Sequence, residues 1–301
     1  MKAGGASRTA VFVCQGRAVA DGRAAVGRFS DPVARRLLRP EELEPVDAAR
    51  DDGRQVKGRE RWAVESVRAC AEIMVPRTVV IDDALTDAVE GRGIRQVVLL
   101  GAGLDGRPWR LEALGAATVF CVDHPASQAD ARERAAGLDP VAGELVFAGV
   151  DLTSQPLDAA LEAAGHRRAV PTAWVWEGVV PYLRKADVAA TASAVARRSA
   201  AGSVLAVNYQ TPSLMAKIGR IVVDLAARAG RVEAATADEP WRSAWTPAAM
   251  ADLVTARGFV VEDDVDLLDV ARRLDSPTAH SRSVRNGRVA IARFSTTATG
   301  A

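Results

Sequence analysis

The chain has 301 residues, of which 49% are hydrophobic and 26% charged, and its formal net charge is +1. This length suits one large α/β domain over residues 1–301, and the balanced charge gives no electrostatic reason to expect nucleic acid or an anionic membrane as a partner. The three cysteines form no Cys-x-x-Cys pair, the three histidines are scattered, and the N-terminus lacks a long apolar run. We therefore expect a cytoplasmic protein without a disulfide framework, metal site or membrane span.

The first 90 residues are predicted to form a helical cap ahead of the sheet. Ser7 can cap a first helix, and Asp31-Pro32 supplies a cap followed by proline at the first position of a second helix. Apolar residues at helical spacing then predict two further helices, separated by Pro76, over residues 62–74 and 77–89.

From residue 96 onward, strand patterns alternate with helical patterns. The predicted strands are residues 96–100, 118–123, 144–151, 172–177, 204–209, 259–268 and 288–294. This alternation predicts a Rossmann-like α/β fold, with a seven-stranded, mostly parallel sheet covered by helices on both faces. Residues 211–245 break the rhythm, and a helical run over residues 214–229 predicts an inserted element on the substrate side. Residues 271–286 are predicted to form a long exposed loop.

A glycine-rich turn follows the first predicted strand. Gly101, Gly103 and Gly106 satisfy the G-x-G-x-x-G spacing, which alone is compatible with a nicotinamide dinucleotide. However, Asp105 places a negative charge where a pyrophosphate would need hydrogen-bond donors. S-adenosylmethionine carries no phosphate and bears a positive sulfonium, so this acidic turn favours the methyl donor.

Acidic residues end three successive predicted strands. Asp123 lies 20 residues after Gly103, which suits a carboxylate that accepts hydrogen bonds from a ribose diol. Asp151 ends the third strand, where an adenine amino group could be bound, and Glu177 ends the fourth, beside the methionine half of the ligand. Each residue alone could simply cap the following helix. Together with the glycine turn, they predict a site for a cationic, ribose-bearing cofactor.

A set of short motifs occurs in order along nearly the whole chain. They are Ser7-Arg8-Thr9-Ala10, Arg17-Ala18, Asp31-Pro32-x-Ala34, Arg77-Thr78-x-x-Ile81-Asp82, the stretch Gln96 to Arg107, Asp123-x-Pro125, Val150-Asp151-Leu152, Pro171-Thr172, Glu177-Gly178-x-x-x-Tyr182-Leu183 and Gly202-Ser203. This set resembles the leucine carboxyl methyltransferase family, and in particular its bacterial branch of S-adenosylmethionine-dependent O-methyltransferases. The resemblance implies the fold of class I methyltransferases.

The resemblance also implies roles for individual residues. Arg77 would pair with the carboxylate of the methionine moiety, although its position also suits a surface arginine at a helix start. The other residues implied in cofactor binding are Gly101, Ala102, Gly103, Asp105, Asp123, Asp151, Leu152 and Glu177. Tyr182 would lie on the substrate side or simply pack over the cleft. Arg17 would close the cap over the cofactor, bind an anionic acceptor, or lie on a solvated helix face.

Two positions in the turn depart from the family pattern. Gly106 stands where threonine is usual, and Trp109 stands where tyrosine or phenylalanine is usual. Neither position needs to contact the reaction centre, so we expect cofactor binding to be retained.

The predicted reaction is methyl transfer from S-adenosylmethionine to an oxygen of a small molecule, such as a carboxylate or hydroxyl of a secondary metabolite. A carboxylate needs only alignment and desolvation, whereas a hydroxyl needs a base, and the sequence identifies no catalytic residue for that role. His124, His166 and His280 are poor candidates. The alternatives are a non-methylating ligand-binding or recruited protein on the same fold, or a nicotinamide-dependent oxidoreductase.

Overall fold

A computed structural model describes residues 7–151, 155–212, 241–279 and 283–295 of the chain. The helices before the sheet are α1 (Arg8–Ala20), α2 (Pro40–Arg50) and α3 (Gly58–Thr86). The strands are β1 (Gln96–Leu100), β2 (Thr118–Asp123), β3 (Glu144–Gly149), β4 (Thr172–Trp176), β5 (Val204–Gln210), β6 (Phe259–Asp266) and β7 (Gly287–Phe294). The remaining helices are α4 (Arg107–Arg110), α5 (Pro125–Ala135), α6 (Leu157–Ala163), α7 (Lys185–Arg197), α8 (Pro247–Thr255) and α9 (Leu267–Arg273).

The seven strands form one sheet in the order β3-β2-β1-β4-β5-β7-β6. Strands β1 to β5 run parallel, and β7 lies antiparallel to both β5 and β6. The predicted seven-stranded, mostly parallel sheet is therefore confirmed. The strand order reverses direction between β1 and β4, and in open sheets of this kind the crevice at such a point binds ligands.

Three buried apolar clusters surround this sheet. One covers the sheet face that packs on α6, α7 and α8, and it contains the fully buried Trp174 and Trp176. A second covers the opposite face, where Ile81 and Leu85 of α3 pack against β1. The third joins α1, α2 and the first half of α3 ahead of the sheet. Because α3 contributes to the second and third clusters, it connects the N-terminal helices to the sheet.

The predicted break at Pro76 is wrong, because α3 runs without interruption from Gly58 to Thr86. Proline in a helix removes one backbone hydrogen bond and crowds the preceding turn. Around this proline, however, α3 is buried, with Val75, Val79 and Ile81 all inside the protein. Apolar packing therefore outweighs the local cost of proline.

Other predicted boundaries are also corrected, and β3 ends at Gly149, two residues before Asp151. The helix expected after Asp31-Pro32 is only a 3-10 turn over Ala34–Leu37, although Asp31 does accept a hydrogen bond from the Ala34 N–H. Strand β6 ends at Asp266 rather than Leu268, because the Asp266 side chain caps α9 with a 2.9 Å hydrogen bond from Leu268 N. Residues 271–273 therefore lie in a helix rather than in the predicted loop.

The predicted N-terminal cap of the first helix agrees with the structure. Ser7 caps α1 by accepting a hydrogen bond from Ala10 N.

The helical run predicted over residues 214–229, and most of the predicted insertion at 211–245, lie outside the described residues. Among the residues that are described, no helix has the length and apolar character needed to cross a membrane.

Candidate functional site

The glycine turn lies at the carboxyl end of β1, in the conformation that its sequence predicts. Gly101 and Gly103 have φ angles of 67° and 50°, in the left-handed region that favours glycine. A Cβ atom at Gly101 would lie 2.2 Å from Cγ2 of Val179, and one at Gly103 would lie 3.1 Å from Cβ of Ala10. The turn is therefore close-packed between the segment after β4 and helix α1, and both glycines make room for these neighbours.

Asp123 lies at the end of β2, beside this turn. Its Oδ2 accepts a 2.6 Å hydrogen bond from Gly103 N, and its Oδ1 accepts one of 2.6 Å from His124 N. The carboxylate also lines a cavity, so it fixes the glycine turn at the wall of that cavity.

Glu177 lies at the end of β4 between two buried arginines. Its Oε1 accepts a 2.6 Å hydrogen bond from Arg77 Nε, and its Oε2 accepts one of 2.7 Å from Arg107 Nη1. Burial alone would raise the pKa of Glu177, but Arg107 and Arg77 outweigh it and hold this pKa well below its ordinary value. Glu177 is therefore ionised across the physiological pH range.

Arg77 is buried in the middle of α3, not exposed at a helix start. Its Nε binds Glu177 and its Nη2 lies 2.9 Å from Sδ of Met74. Its Nη1 lies 3.7 Å from the point that a Cβ of Gly178 would occupy. The structure thus places Arg77 at the cavity, with one edge of its guanidinium engaged by Glu177.

Arg107 is a member of the site that the sequence reasoning missed. It is 2% exposed, and its guanidinium binds Asp82 through Nε (2.6 Å) and Asp105 through Nη1 (2.7 Å), in addition to Glu177. The residue occurs in one of the family motifs and lies two positions after Asp105. An acidic and a basic residue two positions apart, in a turn that leads into a buried segment, were the sequence signal that could have identified Arg107.

The ion pairs around Arg107 continue under α1, and we call the whole set the ion cluster. Arg17 Nε donates a 2.7 Å hydrogen bond to Asp31, whose side chain is fully buried, and Arg110 Nε lies 3.6 Å from the same carboxylate. Burial alone would lower the pKa of Arg17, but Asp31 holds it above its ordinary value. Arg17 is thus a buried ion-pair member, not a residue on a solvated helix face.

The Asp31 carboxylate also lies against the glycine at position 106. Gly106 has ordinary helical backbone angles, so its conformation does not require glycine. A Cβ atom there would lie 2.9 Å from Oδ1 of Asp31. The Asp31 carboxylate occupies the space that a larger side chain at 106 would need.

A cavity of about 870 Å³ opens between α1 and the carboxyl ends of β1, β2 and β4. Its lining includes nearly all of the predicted site residues: Arg17, Arg77, Gly101, Ala102, Gly103, Asp105, Asp123, Asp151, Glu177 and Tyr182. Leu152 lies outside the described residues. The lining also includes residues that the sequence did not single out, namely Thr9, Val13, Val179, Arg184, Asp187 and Arg242.

The histidines do not form a metal site in the described part of the chain, and no group of three potential ligands occurs there. His124 lines the cavity, but its Nδ1 accepts a hydrogen bond from Ala126 N and caps α5. His166 lies at the opposite end of the sheet, where its Nε2 is 3.0 Å from the hydroxyl of Thr172 at the start of β4. His280 is not among the described residues.

The chain is similar to known proteins in both sequence and structure. It is 36% identical over 200 residues to a Streptomyces coelicolor protein named "Putative S-adenosyl-L-methionine-dependent methyltransferase", covering 65% of this chain and 66% of that protein. Its fold matches a DUF574 family protein of Streptomyces avermitilis (TM-score 0.60, 16% identity, 96% of this chain and 98% of the other). It also matches a protein of Thermobifida fusca (TM-score 0.54, 19% identity, 97% and 96%).

The sheet order, the glycine turn and the strand-end acids define a Rossmann-like fold of the class I methyltransferase type. The family model for leucine carboxyl methyltransferase matches residues 10–196, and the chain belongs to this family. The chain spans about two thirds of the length of the sequence relatives that it matches.

Proposed function

We propose that this protein is an S-adenosylmethionine-dependent methyltransferase that methylates a carboxylate or hydroxyl oxygen of a small molecule, such as a secondary metabolite. One observation carries the proposal: ten of the residues that the family resemblance implicates line a single cavity. The chain also belongs to the leucine carboxyl methyltransferase family, and this membership supports the same cofactor and reaction type.

The residues of this cavity fit the proposed cofactor. Gly101 and Gly103 line the cavity, and Asp105 and Glu177 offer negative charge to an ammonium and a sulfonium. In this proposal Arg77 holds the carboxylate of the methionine half, Asp123 holds the ribose and Asp151 binds the adenine. When bound, the cofactor supplies a methyl group activated by its positive sulfur.

The acceptor is proposed to lie beside Tyr182. Arg242 also lines the cavity there, with its backbone N–H bonded to Pro181 O, and its positive charge suits a carboxylate or phenolate acceptor, whereas Arg184 is paired with Asp187. A volume of about 870 Å³ is within the range of sites for small molecules. The protein's role with an ionised acceptor is to align it and exclude water, since no proton has to be removed.

A cytoplasmic location belongs to the same proposal. Cys14, Cys70 and Cys121 are buried free thiols, as is typical of proteins from a reducing compartment.

Calorimetric titration with S-adenosylmethionine, its demethylated product and NAD⁺ tests the cofactor. We expect binding of the first two, and binding of NAD⁺ alone would refute the proposal. Asp123→Asn should weaken cofactor binding at least about tenfold, because hydrogen bonds to a charged acceptor are the stronger kind. Asp139→Asn removes the same charge from an exposed residue outside the cavity and should leave binding unchanged.

Methyl transfer requires a separate assay. Incubation with labelled cofactor and a panel of aromatic acids, aliphatic acids and phenols should label at least one acceptor, identified by mass spectrometry. Cofactor binding without transfer to any acid or phenol would favour the non-methylating alternative.

A further inference from the structure

We propose that Arg107 is a positioning residue that holds the carboxylates of Asp105 and Glu177 correctly spaced for a cationic ligand. The inference rests on the proposed function, because it concerns the acidic side of the same cavity, which is formed by Asp105 and Glu177. Arg107 is not part of the cavity lining, so it acts on a ligand only through these two carboxylates.

The geometry around one nitrogen atom is the central observation. Arg107 Nη1 lies 2.7 Å from Oδ2 of Asp105 and 2.7 Å from Oε2 of Glu177. The two carboxylates come from different elements, the turn after β1 and the residue after β4, and the pairing of these neighbouring strands ends at Leu100 and Trp176. The shared cation therefore joins the two carboxylates beyond the last paired residues, where the cavity opens.

The rest of the Arg107 side chain is fixed as well. Its Nε donates a 2.6 Å hydrogen bond to Asp82 of α3, and its own backbone N–H donates one of 2.9 Å to Oδ1 of Asp105. A planar guanidinium can serve three carboxylates in this way, whereas an ammonium group presents a single charge centre. Arginine at this position thus supplies a positive charge and fixes the orientation of the Asp105 and Glu177 carboxylates.

Without Arg107, Glu177 would lose its strongest charge partner, and burial would keep a proton on its carboxylate to a higher pH. The other charged groups around Glu177 are Arg77 from α3 and Arg17 from α1, while Asp82 of α3 faces Arg107. Arg77 engages only Oε1, so it does not replace Arg107 at Oε2. The acidic side of the cavity would then lose negative charge as the pH falls, and a cationic ligand would bind less tightly.

The test compares S-adenosylmethionine binding to Arg107→Gln and Arg110→Gln by calorimetry between pH 5 and pH 8. Arg110 is a matched control, because it is buried in the same cluster and pairs with Asp82 but with neither Asp105 nor Glu177. We expect Arg107→Gln to bind at least about tenfold more weakly at pH 7.5, and roughly tenfold more weakly again at pH 5.5. Arg110→Gln should bind within about threefold of the wild type, with the wild-type pH profile.

Arg107→Lys distinguishes an effect on the position of the carboxylates from a general loss of folding, because lysine keeps the positive charge that glutamine removes. It should bind with intermediate affinity and without the added pH dependence, and circular dichroism establishes that each variant is folded. Equal affinity loss in Arg107→Gln and Arg110→Gln with identical pH profiles would overturn the inference, as would wild-type binding by Arg107→Gln. Failure of the wild-type protein to bind would instead refute the proposed function.

Discussion

Gly101 allows a quantitative test of the site geometry through the substitution Gly101→Ala. Its φ of 67° costs a non-glycine residue roughly 1–2 kcal/mol, and the new Cβ would lie 2.2 Å from Cγ2 of Val179. Overpacking of this kind costs typically about 1–3 kcal/mol. We therefore expect Gly101→Ala to lower the free energy of unfolding by about 2–5 kcal/mol.

The steric part of this cost should disappear in Gly101→Ala/Val179→Ala. The remaining distance to Cβ of Val179 is 3.6 Å, which is an ordinary van der Waals contact. Val179→Ala alone should cost roughly 1–2 kcal/mol through lost apolar contact. A double-mutant cycle should therefore recover about 1–3 kcal/mol of favourable coupling between the two positions.

The assay is equilibrium unfolding in urea for the four proteins of the cycle. Gly165 supplies the control, since its φ is 90° and a Cβ there would meet nothing within 4 Å. Gly165→Ala should show only the backbone cost and should be additive with Val179→Ala. If Gly101→Ala costs no more than Gly165→Ala and shows no coupling to Val179, the close packing of the turn is refuted.

The remaining predictions concern pH and the N-terminal helix. Burial and the charge of Arg198 lower the pKa of His166 to about 4. Because the unfolded chain binds this proton near pH 6.5 and the folded chain does not, the unfolding free energy should fall by up to about 1.4 kcal/mol per pH unit between pH 6.5 and pH 4. Urea titrations should show this slope reduced in His166→Gln, and an unchanged slope would contradict the assignment. Separately, Thr9, Ala10, Val13 and Arg17 of α1 line the cavity, so saturating cofactor should slow hydrogen exchange in α1 at least about tenfold relative to α8. Equal protection of the two helices would count against α1 as a wall of the binding site.

The strands and the principal site residues were predictable because their signals are local. An apolar run followed by Gly-x-Gly indicates β1 and its turn, and the next apolar run, which ends at Asp123, indicates β2. The helix through Pro76 was not predictable, since its stability comes from contacts between α3 and residues distant in the chain. Helix α9 was missed because it begins directly at the end of β6, with no glycine or proline at the boundary.

The contacts within the ion cluster could not be predicted from the sequence. Asp105 and Arg107, two positions apart, gave a local signal, but the contacts of Arg107 with Asp82 and Glu177 could be found only with the side chains in space. Arg107 joins Asp82, Asp105 and Glu177, which are separated by up to 95 positions along the chain. Charge pairing over such separations leaves no periodic pattern in the sequence.

The contact between Gly106 and Asp31 couples two positions that are far apart in the chain. A side chain at position 106 would meet the Asp31 carboxylate, and removal of that carboxylate would leave Arg17 without its buried counter-charge. A substitution at either position therefore alters the packing or the ion pairing of the other. Their effects on the free energy of unfolding should thus be non-additive.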